Sequence, residues 1–210
     1  MTDSPNPSTA IADEWDQRYT DLADRIPDGT PSAVLAGHAR ALIPGTALDI
    51  GCGVGADAIW LAAQGWTVTA LDVSQVALDR AAARASHAGV HVDWVCSSLE
   101  DFPVPQGGFD LVTAHYPALR RSPGRDAERA LLSAVAPGAT LLVVHHADVD
   151  VETAKSHGFD PADYVSHQDI VDALDQGWDV TIELGRLRDV PAGLDGQHTH
   201  DDVVVARRID

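Results

Sequence analysis

The sequence predicts an open, doubly wound α/β fold: a mostly parallel seven-stranded sheet with an antiparallel strand at its C-terminal edge. Three observations predict it. From Thr46 onward, apolar strand-like runs alternate with helical patterns, as expected of a parallel sheet covered on both faces. A glycine-rich turn, Gly51 to Gly55, follows the first of these strands, where open α/β sheets bind ligands. The last two strand-like runs have no convincing helix between them, which indicates a hairpin.

The elements follow in order. Ahead of the sheet, Ile11–Arg25 and Ser32–Leu42 carry helical patterns. Thr46–Ile50 is the first strand, and Ala56–Gln64 is a helix stopped by Gly65. Trp66–Leu71 is the second strand. Ser74 then caps an Ala-rich helix that runs to about His87 and stops at Gly89. Val90–Val95 and Phe109–Thr113 are strands three and four, separated by a Pro- and Gly-rich loop. Asp126–Val135 is a helix closed by Pro137-Gly138, and Ala139–His145 is strand five. A helix over His167–Asp175 leads to strands at Trp178–Leu187 and Val203–Arg207.

The expected organisation is a disordered lead-in over residues 1–10, a helical segment over 11–45 and one α/β domain over 46–210. No run is apolar and long enough to span a bilayer, and the N-terminus lacks the pattern of a secretory signal. Cys52 and Cys96 form no disulfide framework, so a cytoplasmic setting is expected. The net charge of −18 repels phosphate backbones and anionic lipid, which argues against nucleic acid and membrane as partners. Arg120, Arg121 and Arg125 are the nearest approach to a basic patch and read as a solvated loop and helix start.

The glycine spacing alone is ambiguous. Gly51-x-Gly53-x-x-Ala56, with Asp72 about twenty residues on, also fits a dinucleotide fingerprint, so an NAD(P)-dependent oxidoreductase is the rival reading. Asp49 separates the two. A carboxylate inside an apolar strand is costly unless a cation or donor meets it, and it would repel a pyrophosphate.

Leu48-Asp49-Ile50-Gly51-Cys52-Gly53-Val54-Gly55 resembles motif I of the class I S-adenosylmethionine-dependent methyltransferases, whose fold is Rossmann-like. Leu71-Asp72-Val73-Ser74, Phe109-Asp110-Leu111-Val112 and Ala136-Pro137-Gly138-Ala139 resemble later motifs of the same family, in order. Trp15-Asp16-Gln17-Arg18-Tyr19 resembles the W-D-x-x-Y segment that folds over the cofactor as a lid in its small-molecule members. The resemblance implies adenosylmethionine as cofactor and adenosylhomocysteine as product. It implies a cofactor site of Trp15, Tyr19, Asp49, Gly51, Gly53, Gly55, Asp72, Val73, Ser98, Leu99 and His115, with Asp72 on the ribose hydroxyls and Ser98 and Leu99 at the adenine. It also implies a small-molecule methyl acceptor with an oxygen, nitrogen or sulfur nucleophile. A non-catalytic adenosylmethionine-binding protein on the same fold stays open.

Several histidines fall where strands end on the ligand side: His115 after strand four, His145 and His146 closing strand five, and His198 and His200 before the last strand. A base is needed only if the acceptor must lose a proton, and histidine suits that work near neutrality. His115 is the first candidate and His145 the second. His145 and His146 point to opposite faces of a strand, so one of them at most faces the acceptor. His198-x-His200 lacks a spacing strict enough to assign a metal, and none is expected.

Overall fold

The computed structural model of the chain describes residues 7–21, 30–156, 158–188 and 199–209, which fall into two compact units, Met1–Pro103 and Val104–Asp210. The strands are ordered β3-β2-β1 in the first unit and β4-β5-β7-β6 in the second. This is the expected class: seven strands, mostly parallel, with antiparallel pairing at the C-terminal edge.

In the first unit, helices α1 (Pro7–Asp21) and α2 (Ala33–Ala39) precede strand β1 (Thr46–Ile50). The helix expected over 11–25 thus begins at Pro7, inside the anticipated lead-in, and residues 22–29 lie outside the described ones. Helix α3 (Ala56–Ala63), β2 (Thr67–Asp72), α4 (Gln75–Ala88) and β3 (Asp93–Cys96) complete the unit. β1 pairs parallel with β2, and β2 with β3, which brings Ile50 level with Leu71 and Asp72 level with Cys96. Leu48, Leu61, Val68, Leu71, Leu78 and Ala81 are buried between sheet and helices.

Local chemistry sets the boundaries. The Ser74 hydroxyl accepts the Ala77 N–H at 3.1 Å and caps α4 as expected. At its other end Gly89 turns left-handed, and Val90 N–H folds back to the Ala85 carbonyl. That bond spends the backbone of Val90, so β3 starts at Asp93 rather than at Val90.

The second unit contains β4 (Phe109–His115), α5 (Asp126–Ser133), β5 (Val135–His146), α6 (Val151–Ser156), a 3-10 turn at Pro161–Asp163, α7 (His167–Val171), β6 (Trp178–Leu187) and β7 (His200–Arg208). β5 begins four residues before the expected Ala139, on the far side of Pro137-Gly138. Phe109 pairs with Val135, and the register then jumps to Leu111 with Thr140. Pro137 cannot donate to a ladder, so the chain bulges there and resumes pairing. β7 runs antiparallel between β5 and β6, so the hairpin is inserted with its second strand inward and β6 forms the edge. α7 stops at Val171, short of the expected Asp175, and α6 was not anticipated. The start of α6 rests on Asp150, whose carboxylate accepts the Glu152 and Thr153 N–H groups.

Gly55 has φ +79, and a β-carbon there would stand 2.6 Å from the Trp94 ring and 2.9 Å from Ala81 Cβ. Gly55→Ala should therefore lower stability by about 1–3 kcal/mol through backbone strain and overpacking together. Urea unfolding of the variant against wild type measures this, with an unchanged midpoint as the contrary result.

Candidate active site

The loop after β1 is built from three left-handed glycines, Gly51 (φ +67), Gly53 (φ +52) and Gly55 (φ +79). Each does a different job. Gly55 lets Trp94 and α4 pack against the loop. At Gly53 a β-carbon would lie 2.7 Å from the Tyr19 hydroxyl, so the missing side chain makes room for α1. At Gly51 nothing stands within 4 Å of that position, which leaves the backbone open to a ligand.

Asp72, at the end of β2, ties this loop down. Its Oδ2 accepts the Gly53 N–H at 2.8 Å and its Oδ1 the Ser74 N–H at 2.9 Å. Burial still raises the carboxyl above its ordinary range against these donors. Both oxygens keep lone-pair capacity for further donors. Asp16 arrives from α1 and accepts both the Ser74 hydroxyl at 2.6 Å and the Val76 N–H at 3.1 Å, so α1 is docked on the first turn of α4. The sequence reading had passed over Asp16; its place inside the W-D-x-x-Y segment was the available signal.

Asp49 is 3% exposed. Burial first, and then the negative charges of Asp57 and Asp72, hold its carboxyl well above the usual carboxylate range. Its Oδ2 is enclosed without a hydrogen-bond partner among the described residues. An orphaned acidic oxygen beside two further aspartates favours a cationic ligand group. Cys52 lies in the same field, and burial raises its thiol, which makes it an inert packing group. Trp15 and Tyr19 are half-buried with ring centroids 6.2 Å apart, and the Arg18 guanidinium lies 5.2 Å from the Trp15 ring centroid. Burial and the Asp72 charge raise the Tyr19 phenol, keeping it neutral.

After β3, the Ser98 hydroxyl donates to Asp101 at 2.9 Å and accepts the Asp101 N–H at 3.2 Å. Its proton is thus committed inside a local turn. The Leu99 side chain is buried, and the Val73 carbonyl faces Cys96 Sγ at 3.5 Å.

The second unit holds the histidines. His115 ends β4 with Nε2 at 3.4 Å from Thr113 Oγ1. His145 and His146 diverge, as neighbours on a strand must. His145 Nε2 meets the Val165 carbonyl at 3.1 Å, its Nδ1 is enclosed, and burial lowers its pKa to about 4. His146 stacks on Tyr116 at 4.1 Å between centroids and faces Asp201, 3.7 Å from Nδ1 to Oδ1. His200 belongs to β7 rather than to the loop before it, and His198 lies outside the described residues. Among the described residues no group of three His, Cys, Asp or Glu side chains is arranged to hold a metal ion. No described helix is long and apolar enough to cross a membrane.

Residues 47–138 match the family described as a methyltransferase domain. The glycine loop lies within this match, which covers less than half of the chain and points to the family that the motifs resemble. Among curated relatives, a ubiquinone biosynthesis O-methyltransferase of Rickettsia canadensis is 44% identical over 54 residues, 26% of this chain and 23% of its own. An uncharacterized methyltransferase of Mycobacterium tuberculosis is 36% identical over 97 residues, 46% of this chain and 48% of its own. The chain thus spans less than half the length of these curated relatives. Among solved structures, the magnesium protoporphyrin IX methyltransferase of Synechocystis PCC 6803 with bound adenosylhomocysteine superposes with a TM-score of 0.68 at 22% identity, covering 97% of this chain and 100% of that one. A [4+2]-cyclase superposes with a TM-score of 0.73 at 19% identity, covering 96% of each chain. The fold is common to both, so the chemistry has to be argued from the site. These matches give the oxidoreductase alternative no support.

The His145 geometry has a pH consequence. Its folded-state pKa of about 4 lies below the ordinary 6.5, so the unfolded chain binds the proton first. Stability contributed by neutral His145 is present above the unfolded value and lost as pH falls from about 6.5 towards about 4. His145→Gln keeps a donor for Val165 and should flatten that part of the curve. Urea unfolding of both proteins between those pH values measures it; parallel curves would contradict the assignment.

Proposed function

We propose that the protein is an S-adenosylmethionine-dependent methyltransferase that acts on a small-molecule acceptor in the cytoplasm. The observation that carries this reading is the enclosed Asp49 carboxylate, with its unpartnered oxygen, at the head of a glycine loop left open at Gly51. A dinucleotide pyrophosphate would meet repulsion from Asp49, Asp57 and Asp72, whereas an ammonium or sulfonium is attracted. Adenosylmethionine, when bound, supplies a methyl group already activated by its sulfonium.

The chain's own residues bind and orient. Gly51, Gly53 and Gly55 shape the backbone of the cradle, and Asp49 sets its negative field. Asp72, with Val73 beside it, accepts two ribose hydroxyls in addition to the Gly53 and Ser74 N–H groups. Trp15 and Tyr19 exclude water and offer aromatic faces to a cation. The Leu99 backbone is the adenine contact, and Ser98 contributes through its oxygen while its proton stays with Asp101. His115, at the end of β4, is a candidate base for an acceptor that must lose a proton. The small-molecule acceptor is supported by the net charge of −18, which disfavours nucleic acid.

Adenosylhomocysteine should bind in calorimetry and raise the melting temperature, and NAD should do neither. The reverse pattern would overturn the reading. Asp72→Ala should weaken adenosylhomocysteine binding about tenfold or more, because charge-assisted bonds of about 1.5–3 kcal/mol are lost, while exposed Asp101→Ala should have a smaller effect. Equal losses would refute this role for Asp72. Asp16→Ala removes the acceptor that docks α1 on α4, and should raise hydrogen exchange across residues 11–21 and weaken adenosylhomocysteine binding. Unchanged exchange would show that α1 is held by other contacts.

A further inference from the structure

β6 is the edge of its sheet: it pairs with β7 on one side, and no described strand pairs with the other. The ladder fixes which backbone groups it turns outward. The Ile209 N–H bonds the Gly177 carbonyl at 2.8 Å, so the adjoining Trp178–Arg208 pair is a non-hydrogen-bonded one. By alternation Asp179, Thr181 and Glu183 spend their N–H and C=O groups on β7, whereas Trp178, Val180 and Ile182 direct theirs away from it. The Trp178 N–H is taken by the Asp175 carbonyl at 3.2 Å. The N–H groups of Val180 and Ile182, and the carbonyls of all three residues, point outward along the edge.

Edge strands are commonly blunted by charge, proline or a bulge. β6 has a bulge, but late in its course. Its register shifts between Glu183 and Arg186, where Gly185 has φ +63 and donates its N–H to Asp202 at 2.9 Å. The stretch before it, Trp178 to Glu183, is regular and free of proline, and Ile182 on it is 43% exposed. Each acid of that stretch has a base beside it. Arg207 stands opposite Asp179, and the Arg186 guanidinium lies 3.0 Å from the Glu183 carboxylate. The edge therefore lacks the acidic excess of a chain whose net charge is −18, and a second copy of the same edge meets little repulsion there.

We propose that β6 pairs antiparallel with β6 of a second copy of this chain, about a two-fold axis at Val180, and so joins two sheets edge to edge in a homodimer. Only the outward-facing residues can form the hydrogen-bonded pairs, so few registers are open. Val180 opposite Trp178 would set Asp179 against Asp179, and Val180 opposite Ile182 would set Asp179 against Glu183; like charges directly opposite are destabilising. Ile182 opposite Ile182 would run into the bulge. With Val180 opposite Val180, Trp178 meets Ile182, and Asp179 meets Thr181, whose hydroxyl can donate to the carboxylate. The axis makes each of those two contacts occur twice. The ladder is short beside interfaces of standard size, so the dimer is reversible, with a Kd of about 1–100 μM. The acidic remainder of each chain opposes association, and added salt tightens it. The dimer is independent of the methyl-transfer reading.

Sedimentation equilibrium of the full chain from about 1 to about 200 μM, at about 0.05 and about 0.5 M salt, tests this. Wild type should pass from monomer to dimer across that range, at lower concentration in the higher salt. Val180→Pro removes the central outward N–H without touching the bonds to β7, and should weaken the dimer about tenfold or more. Thr181→Glu changes an exposed side chain, so the fold is kept, and sets a carboxylate opposite Asp179 in both copies. It should weaken the dimer about threefold or more, and adding Asp179→Lys should restore it, because each new glutamate then meets a lysine. That rescue is specific to the register centred on Val180. A wild-type monomer at every concentration would overturn the proposal and leave the edge to a chain of different sequence. A dimer that Thr181→Glu leaves unchanged would place the interface elsewhere and overturn it, even if Val180→Pro fails to fold. Loss in Thr181→Glu without rescue by Asp179→Lys would overturn the register.

Discussion

The bridge from Asp72 to the Gly53 and Ser74 N–H groups is the interaction on which the first unit depends. One carboxylate at the tip of β2 fixes the turn after β1 and the first turn of α4 at once. Asp16 extends the arrangement by binding the same Ser74 and the neighbouring Val76 from α1. Three segments distant in sequence thus meet through two side chains, with charge-assisted bonds in a buried setting where they are strongest. The cost is that acidic groups are crowded. Burial raises the carboxyls of Asp72 and Asp49 and the phenol of Tyr19, and the Asp72 charge adds to the rise of the latter two. A cationic ligand group would relieve that crowding.

The second unit uses the same principle differently. Its β5–β7 ladder sets His145 opposite Asp202 and His146 opposite Asp201. Alternation along the strand then gives the two imidazoles opposite environments: one spends a nitrogen on a backbone carbonyl, and the other faces a carboxylate. Histidine responds strongly to such differences because its unperturbed pKa lies near neutrality.

Much of the fold and the glycine loop was legible in the chain. Leu48 to Gly55 names a strand, a turn and a helix start in eight residues, and its local chemistry admits few alternatives. The capping serine at 74 and the stop at Gly89 were equally plain, because capping is a local matter. The misplaced boundaries have specific causes: β3 was shortened by the turn at Gly89, and β5 was lengthened by pairing across a proline bulge. The short helix α6 carries too few residues for a periodic signal.

By itself the sequence determined the alternation of strands and helices, the glycine loop, the acid at the head of that loop and the net charge of −18, because each is a property of neighbouring residues or of composition. Tertiary structure alone decided which groups those acids meet. It committed the Ser98 hydroxyl to Asp101, brought Asp16 to Ser74, and set Tyr116 and His146 on Asp201. Asp201 reaches Tyr116 across 85 positions of sequence, and no local pattern encodes such a contact. Register fixes it: the antiparallel placement of β7 between β5 and β6 puts Asp201 opposite His146, and a shift of one residue would turn it to the other face.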